Sequence, residues 1–433
     1  MQSAVHGKID RLSAISVNGR SYGPGRGPVV VVCVDGGEPD YHERAIEAGL
    51  MPYLASVIDS SGTSLSAECA MPSFTNPNNI SIATGVAPAV HGICGNYFFD
   101  PDKGEEVMMN DPRLLRAPTV FASYAALGAS VTIITAKDKL RRLLGAGLDH
   151  GICFSAEMAH AATVEQNGIA DVLELIQMPQ AGVYTAELSE MALVAGVKVL
   201  ELYRPDLMYV SLTDYIQHKH APGSPVANAF YAMLDHYYAQ LDALGATLVI
   251  TADHGMNAKS DASGAPNVIY LQDVLDESYG LGRTRVILPI TDPYTAHHGA
   301  LGSYATVYLG ELAPKAAEVL ERLSGLEGVA VVLTAEQACH QLELPRDRIG
   351  DLVLIADRST TVGTTPSRHD LSALDEPLRS HGGLTEQRVP FIVNRPVTGI
   401  PDGHRLRNFD AYWVALNFVQ QVPLGQESAT SFV

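Results

Sequence analysis

Thr247-Leu-Val-Ile-Thr251 is a short run of apolar and β-branched residues, of the length and composition that form a strand buried on both faces. Strands of that kind belong to parallel sheets covered by helices, which commits the chain to an α/β architecture. The run ends in Ala252-Asp-His-Gly255, two adjacent side chains able to ligate a metal, followed by a residue free to turn. Open α/β sheets bind ligands in the crevice outside the carboxyl ends of their strands, so Asp253 and His254 stand where chemistry is expected. An ordinary turn would use the same three residues. The weight of the reading rests on whether other buried runs end alike.

Several do. Val29 to Val34 ends in Asp35-Gly-Gly37, where Asp35 is either a second ligand or a cap on its own turn. Leu207 to Ser211 is followed by Asp214 and His218, four apart, a spacing that puts both on one face of a helical turn, where they could share a metal. Ser130 to Thr135 runs into Ala136-Lys137-Asp138-Lys139. Lys137 and Lys139 point the same way if that stretch is extended, which gives two ammonium groups at the same rim; solvated lysines are the other reading.

Three further motifs lie in loops. In Met71-Pro-Ser-Phe-Thr-Asn-Pro-Asn-Asn79, Pro77 suits a first helical turn and Gly85 suits the C-cap, so Thr75 lies at or just before a helix N-terminus. There it is either an N-cap or a nucleophile whose alkoxide the helix dipole and a metal would stabilise. In His91-Gly-Ile-Cys-Gly-Asn96, Asn96 could donate an amide hydrogen bond to a bound oxyanion. His381 precedes two glycines in a loop before the strand-like run Val389 to Asn394, a position from which it could reach back to the rim or serve structure alone.

At 433 residues the chain suggests two or three structural units, or one large α/β domain with an insertion. Helical patterns span residues 52–60, 119–127, 186–203, 227–244 and 409–419. Beyond residue 260 the pattern weakens, and residues 261–370 read as a smaller α+β cap inserted over the rim, with residues 1–260 and 371–433 forming the core. A net charge of -19 argues against an electrostatic grip on nucleic acid. No apolar run approaches the length of a membrane span, and five cysteines without a C-x-x-C pair read as buried thiols, so a cytoplasmic protein is expected.

Together, Asp35, Thr75, Asp214, His218, Asp253, His254 and His381 supply oxygen and imidazole ligands for two metals. Mixed Asp/His ligation suits zinc, with manganese or iron as competitors. The combination of Asp35, Pro72-Ser-Phe-Thr-Asn-Pro-Asn-Asn79, His91-Gly-Ile-Cys-Gly-Asn96, Asp214-x-x-x-His218, Ala252-Asp-His-Gly255 and Ser380-His-Gly-Gly383 resembles the alkaline phosphatase superfamily, in its nucleotide pyrophosphatase/phosphodiesterase-like branch. The resemblance covers nearly the whole core. It implies an alkaline-phosphatase-like core, a central mostly parallel sheet flanked by helices, carrying two zinc ions. One ion would rest on Asp214, His218 and His381, the other on Asp35, Thr75, Asp253 and His254. Thr75 would be the nucleophile, Asn96 would cradle phosphoryl oxygens, and His218 would also face the substrate.

Within that branch the likeness is to members that cleave the carbon–phosphorus bond of phosphonoacetate, because Lys137 and Lys139 match lysines placed around the substrate carboxylate. The implied partner is therefore a small phosphonate, with a homodimer as the oligomer allowed for. A phosphodiesterase or nucleotide pyrophosphatase with the same ligands is the alternative, and it would need a nucleoside pocket. A cofactor-independent phosphoglycerate mutase would carry a large inserted phosphotransfer domain and a serine nucleophile. A protein that stores metal without turnover is the alternative from another class. His297, His298, Arg283 and Arg285 are cap residues that could close over a carboxylate or serve structure alone.

Overall fold

The computed structural model describes residues 14–25, 27–291, 299–372, 374 and 376–420. The apolar runs pair into a seven-stranded sheet in the order Thr63–Glu68, Arg388–Val393, Thr247–Thr251, Val29–Cys33, Leu207–Ser211, Val131–Thr135, Ile152–Ser155. From the Thr247 strand to the Ile152 strand every pairing is parallel. Arg388–Val393 runs against both of its neighbours. This is the mostly parallel α/β sheet that the sequence motifs imply.

Both faces of the sheet are covered, which is why its central strands are apolar throughout. Val30, Val32 and Val34 join Leu248, Ile250, Met208 and Val210 against the helices Glu187–Tyr203 and Pro225–Ala243. The alternate residues Val29, Val31 and Cys33 join Val249 and Tyr209 against the helices Thr75–Thr84, Val120–Ala125 and Ala411–Asn417. From Asn76 to Thr84 every residue of the helix that begins at Thr75 is buried, so its polar side chains must find partners inside the protein.

Register decides what reaches the rim. Thr251, Cys33, Ser211 and Thr135 form one row across the four central parallel strands. Two residues beyond that row stand Asp253, Asp35, Thr213 and Lys137. One level of the sheet therefore delivers two carboxylates and an ammonium group to the same crevice.

A second, four-stranded antiparallel sheet has the order Arg285–Ile287, Tyr304–Tyr308, Leu352–Ala356, Val329–Thr334. The helices Leu271–Tyr279, Ala316–Ser324 and Ala335–Leu342 accompany it. Its apolar residues Tyr304, Leu352 and Val353 belong to the same buried cluster as Val31 and Ile80. Leu271–Tyr279 was not foreseen as a helix, although Leu271 and Leu275 bury one face of it at the i, i+4 spacing.

Two local expectations change. The helix expected over residues 52–60 is α-helical over Pro52–Ser56 and continues as a π-type turn over Val57–Ser61. More consequentially, Lys137 and Lys139 do not share an extended stretch. Lys137 is the extended N-cap residue and Lys139 the second residue of a helix, Asp138–Leu144, so the alternation argument for their common direction fails. Among the described residues no helix is long and apolar enough to cross a membrane.

Gly85 ends the Thr75 helix in the left-handed region at φ 71, as the sequence implies, and a Cβ there would collide with the Tyr22 hydroxyl. Gly85→Ala is therefore expected to lower stability by about 1 to 3 kcal/mol, read as a fall in Tm. An unchanged Tm would mean that the helix end is held by other contacts.

Candidate metal centre

Two sets of three buried side chains converge at the rim: Asp214, His218 and His381, and Asp35, Asp253 and His254. Within each set the ligand atoms lie within 4.8 Å of one another. Asp214 is the N-cap residue of the short helix Tyr215–Lys219, and one turn on His218 brings Nε2 to 3.0 Å from Asp214 Oδ2. His381 follows the two-residue strand Arg379–Ser380, which pairs with Asn257–Ala258 just downstream of His254. That pairing brings the two loops together, and the rings of His254 and His381 stack with centroids 3.7 Å apart. The two sets are thus adjacent. Thr75, first residue of its helix, puts Oγ1 3.3 Å from His254 Nε2.

The donor set fits a cation by its hydrogen bonding. Each histidine holds Nδ1 against a backbone carbonyl: His218 on Arg379 at 2.8 Å, His254 on Gly255 at 2.9 Å and His381 on Ser73 at 2.8 Å. A carbonyl only accepts, so Nδ1 carries the proton and the Nε2 lone pair faces the centre. There Nε2 of His218 meets Asp214, and Nε2 of His254 meets Asp35 at 3.3 Å. Lone pairs facing carboxylates repel unless a proton or a metal ion lies between them. Asp35 Oδ1 is buried and lies 3.3 Å from His254 Nε2.

Electrostatics point the same way. Burial, and then the Asp35 carboxylate, push the Asp253 carboxyl well above its usual range. Burial works against a charged His254, but the Asp253 and Asp35 carboxylates outweigh it and hold the imidazole up to about 9. Burial, with His254 and His218 as neighbours, drives His381 well below its usual value. A carboxyl and an imidazole held above their usual values side by side mark a place where negative charge calls for a cation, and oxygen and imidazole donors suit a divalent metal such as zinc.

Other residues of the site are engaged as follows. Lys137 Nζ lies 3.0 Å from Asp214 Oδ1, which places an ammonium at the first cluster. Lys139 is half-buried in the first turn of the helix that Lys137 precedes. Asn96 is buried, its amide donating to Ile290 O at 3.1 Å and its backbone N–H to Pro289 O at 2.7 Å, so its loop is anchored to the segment that follows the strand Arg285–Ile287. Arg283 and Arg285 are spent elsewhere, on Glu311 at 3.5 Å and on Glu106 at 2.6 Å. His297 and His298 lie outside the described residues.

Sequence reasoning missed the residues that hold the ligands. Asn79, inside the quoted Asn-Pro-Asn-Asn motif, donates to Asp253 Oδ2 at 3.0 Å. Ser73 Oγ accepts from the Gly382 N–H and donates to Gly383 O, fixing the turn after His381. Lys259 and Glu386 form a fully buried ion pair at 3.0 Å. Arg379 donates to the carbonyls of Gln217 and Met256 and to Tyr41 Oη, bracing the peptide whose carbonyl orients His218. The signal for Arg379 and Ser73 was adjacency to His381 and Thr75; nothing in the sequence marks Lys259 or Glu386.

Behind this bracing, Glu38 lies 3.6 Å from Arg379 and is pushed up to about 7, burial outweighing the guanidinium. Its folded value lies above the ordinary 4.5, so its contribution to stability is present below that value and is lost as pH rises through about 7. Relative to Glu38→Gln, the wild type should lose Tm between about pH 5 and about pH 8. A Tm difference that stays constant over that window would show Glu38 ionised throughout.

Residues 29–384 match the family model of type I phosphodiesterase / nucleotide pyrophosphatase. Among solved structures, phosphonoacetate hydrolase from Sinorhizobium meliloti 1021 is 56% identical, with the match covering 93% of this chain and 98% of that one. The TM-score is 0.90 for its complex with phosphonoformate and 0.89 for its complex with phosphonoacetate. Among curated proteins, an uncharacterized pyrophosphatase/phosphodiesterase of Schizosaccharomyces pombe is 35% identical over 91 residues, 21% of this chain and 18% of that protein. Phosphonoacetate hydrolase of Penicillium oxalicum is 64% identical over 28 residues, 6% of this chain and 39% of that protein. Those matched stretches span less than half the length of either curated relative. The family match, by contrast, runs from the first strand of the sheet past His381, and it takes in both ligand clusters: the chain belongs to the type I phosphodiesterase / nucleotide pyrophosphatase family.

Proposed function

We propose that this protein hydrolyses the carbon–phosphorus bond of phosphonoacetate to acetate and phosphate, through a phosphothreonine intermediate on Thr75 at a centre of two divalent ions, zinc by preference. The observation that carries the reading is the 56% identity, over 98% of its length, to a phosphonoacetate hydrolase whose structure holds phosphonoacetate. Asp214, His218 and His381 would hold one ion, and Asp35, Thr75, Asp253 and His254 the other. Ions bound there would favour the ionised Thr75 hydroxyl and neutralise the phosphoryl oxygens.

The chain's own groups supply the rest. Thr75 opens a ten-residue helix, whose N-terminal N–H groups favour the anionic alkoxide and phosphoryl group. Thr75 Oγ1 attacks phosphorus as the carbon–phosphorus bond breaks, and the bonding pair moves onto carbon and into the adjoining carboxylate as an enolate-like species. Lys137 and Lys139 bind that carboxylate, and they stabilise the departing charge more than the ground state. The carbanion takes a proton from solvent to give acetate, and water then hydrolyses the phosphothreonine to phosphate and free Thr75. Asn96 and His218 face the phosphoryl oxygens. The described cysteines are all free thiols, which supports a reducing, cytoplasmic setting.

Two bound ions per chain are expected by elemental analysis, with activity lost on chelation and restored by zinc. Thr75→Ala should abolish turnover and leave Tm nearly unchanged, because the N-cap is Phe74 and the Thr75 side chain caps nothing. Acid-quenched wild type should carry phosphate on Thr75. One ion in active enzyme, or near-normal turnover by the alanine variant, would remove the two-metal centre or the nucleophile respectively.

The family match itself favours a second reading, a phosphodiesterase using the same centre. The lysines separate the two. Lys139→Ala should cost phosphonoacetate hydrolysis roughly 2 to 4 kcal/mol in kcat/KM and an aryl phosphonate monoester much less, because that leaving group has no carboxylate. Lys137→Ala should cost both substrates something, since Lys137 also contacts Asp214, but phosphonoacetate more. Equal losses on both substrates for both variants would make the phosphodiesterase reading the better one.

A further inference from the structure

Asn79 lies one helical turn beyond Thr75, is completely buried, and has every hydrogen-bonding position of its amide in use. Its Nδ2 donates to the Thr75 carbonyl at 3.0 Å and to Asp253 Oδ2 at 3.0 Å. Its Oδ1 accepts from the hydroxyls of Tyr209 at 2.7 Å and Ser211 at 2.9 Å, both on the central strand Leu207–Ser211. The hydroxyls could pair with either end of the amide, but the Thr75 carbonyl only accepts, so it fixes the NH2 on the side of Thr75 and Asp253 and the amide oxygen on the side of the strand.

From this geometry we infer that Asn79 is a positioning residue: it ties the backbone of Thr75 and the carboxylate of Asp253 to one strand of the sheet, and so sets the separation of the nucleophile from the cluster of Asp35, Asp253 and His254. The inference rests on the reading of Thr75 as nucleophile and of that cluster as an ion site. Asp253 Oδ1 already accepts from the N–H groups of Gly36 at 3.2 Å and His254 at 3.0 Å, whereas Oδ2 is directed by Asn79. Removing the amide therefore frees one carboxylate oxygen to rotate and releases the first turn of the nucleophile's helix. The cluster of Asp214, His218 and His381 has no bond to Asn79 in the described contacts, so the effect should fall on one ion and not on the other.

The test uses Asn79→Leu, which roughly conserves volume and removes all four hydrogen bonds, with zinc binding to the metal-free protein measured by competition with a chromogenic chelator. One of the two ions should bind about 10- to 100-fold more weakly, the size of effect seen when a group that orients a metal ligand is lost. In a His218→Ala background, which cripples the other cluster, the weakening should persist; in an Asp35→Ala background it should vanish. With zinc saturating, kcat should fall while KM for phosphonoacetate changes little. If Asn79→Leu does not fold, Tyr209→Phe, which removes one of the hydroxyls that orient the amide, should show the same selective weakening at smaller amplitude. Unchanged affinity for both ions, or equal weakening of both, would overturn the inference, since a residue that merely supports the fold would shift Tm and leave that selectivity untouched. Failure of the underlying reading shows separately, as a wild type that binds fewer than two ions or a Thr75→Ala variant that turns over.

Discussion

Three carboxylates, Asp35, Asp214 and Asp253, are buried within reach of three imidazoles, and the rest of the structure is arranged around the cost of keeping them there. An isolated buried carboxylate would be strongly destabilising, so each has to be met by backbone N–H groups, by a neighbouring cation or by a bound ion. The sheet supplies the first kind of relief, since Gly36 and His254 both point N–H groups at Asp253. Lys137, two residues past the last paired row of its strand, supplies the second at Asp214. What remains is an Asp253 carboxyl and a His254 imidazole both held above their usual values, a burden of negative charge that divalent ions would relieve at once.

That arrangement explains why so much was legible in the sequence. Buried strands end at such a rim, so Val29 to Val34, Leu207 to Ser211 and Thr247 to Thr251 led to Asp35, Asp214 and Asp253 as candidates, and their recurrence gave the reading a weight that no one of them had alone. The i, i+4 spacing of Asp214 and His218 is local, and the helix Tyr215–Lys219 realises it directly. Pro77 and Gly85 bracket the Thr75 helix because proline and glycine carry backbone information that survives any tertiary context. The resemblance drawn from these motifs, to the phosphodiesterase-like branch of the alkaline phosphatase superfamily, agrees with the family to which the chain belongs.

What was not legible depends on side chains distant in sequence. The backbone under the lysine pair was not legible because Ala136-Lys137-Asp138-Lys139 looks like the tail of a strand, whereas a helix begins at Asp138, whose N–H donates to Glu157 at 2.7 Å. Asn79 looked like one of several polar residues in a helix, and only the register of the Leu207 strand shows why its amide is buried. His381 could be placed before its strand but not against His254, since the stacking depends on the two-residue pairing of Arg379–Ser380 with Asn257–Ala258.

The Lys259–Glu386 pair shows what such distant contacts accomplish. Both residues are fully buried, and a pair of apolar side chains of similar size would serve stability as well or better. Stability alone is therefore a poor reason for it. Glu386, however, does more than neutralise Lys259: its carboxylate accepts from the Gly383 N–H at 2.8 Å and from Asn257 Nδ2 at 2.6 Å, and its carbonyl accepts from the Gly255 N–H at 2.7 Å. Gly255 follows His254 and Gly383 lies two residues past His381. One residue thus grips both histidine loops at the backbone, and an apolar replacement would keep the carbonyl bond to Gly255 but leave the Gly383 N–H and the Asn257 amide unpaired, loosening the loop after His381. The ring spacing of 3.7 Å between His254 and His381 is a property of the clamp behind them as much as of the histidines themselves.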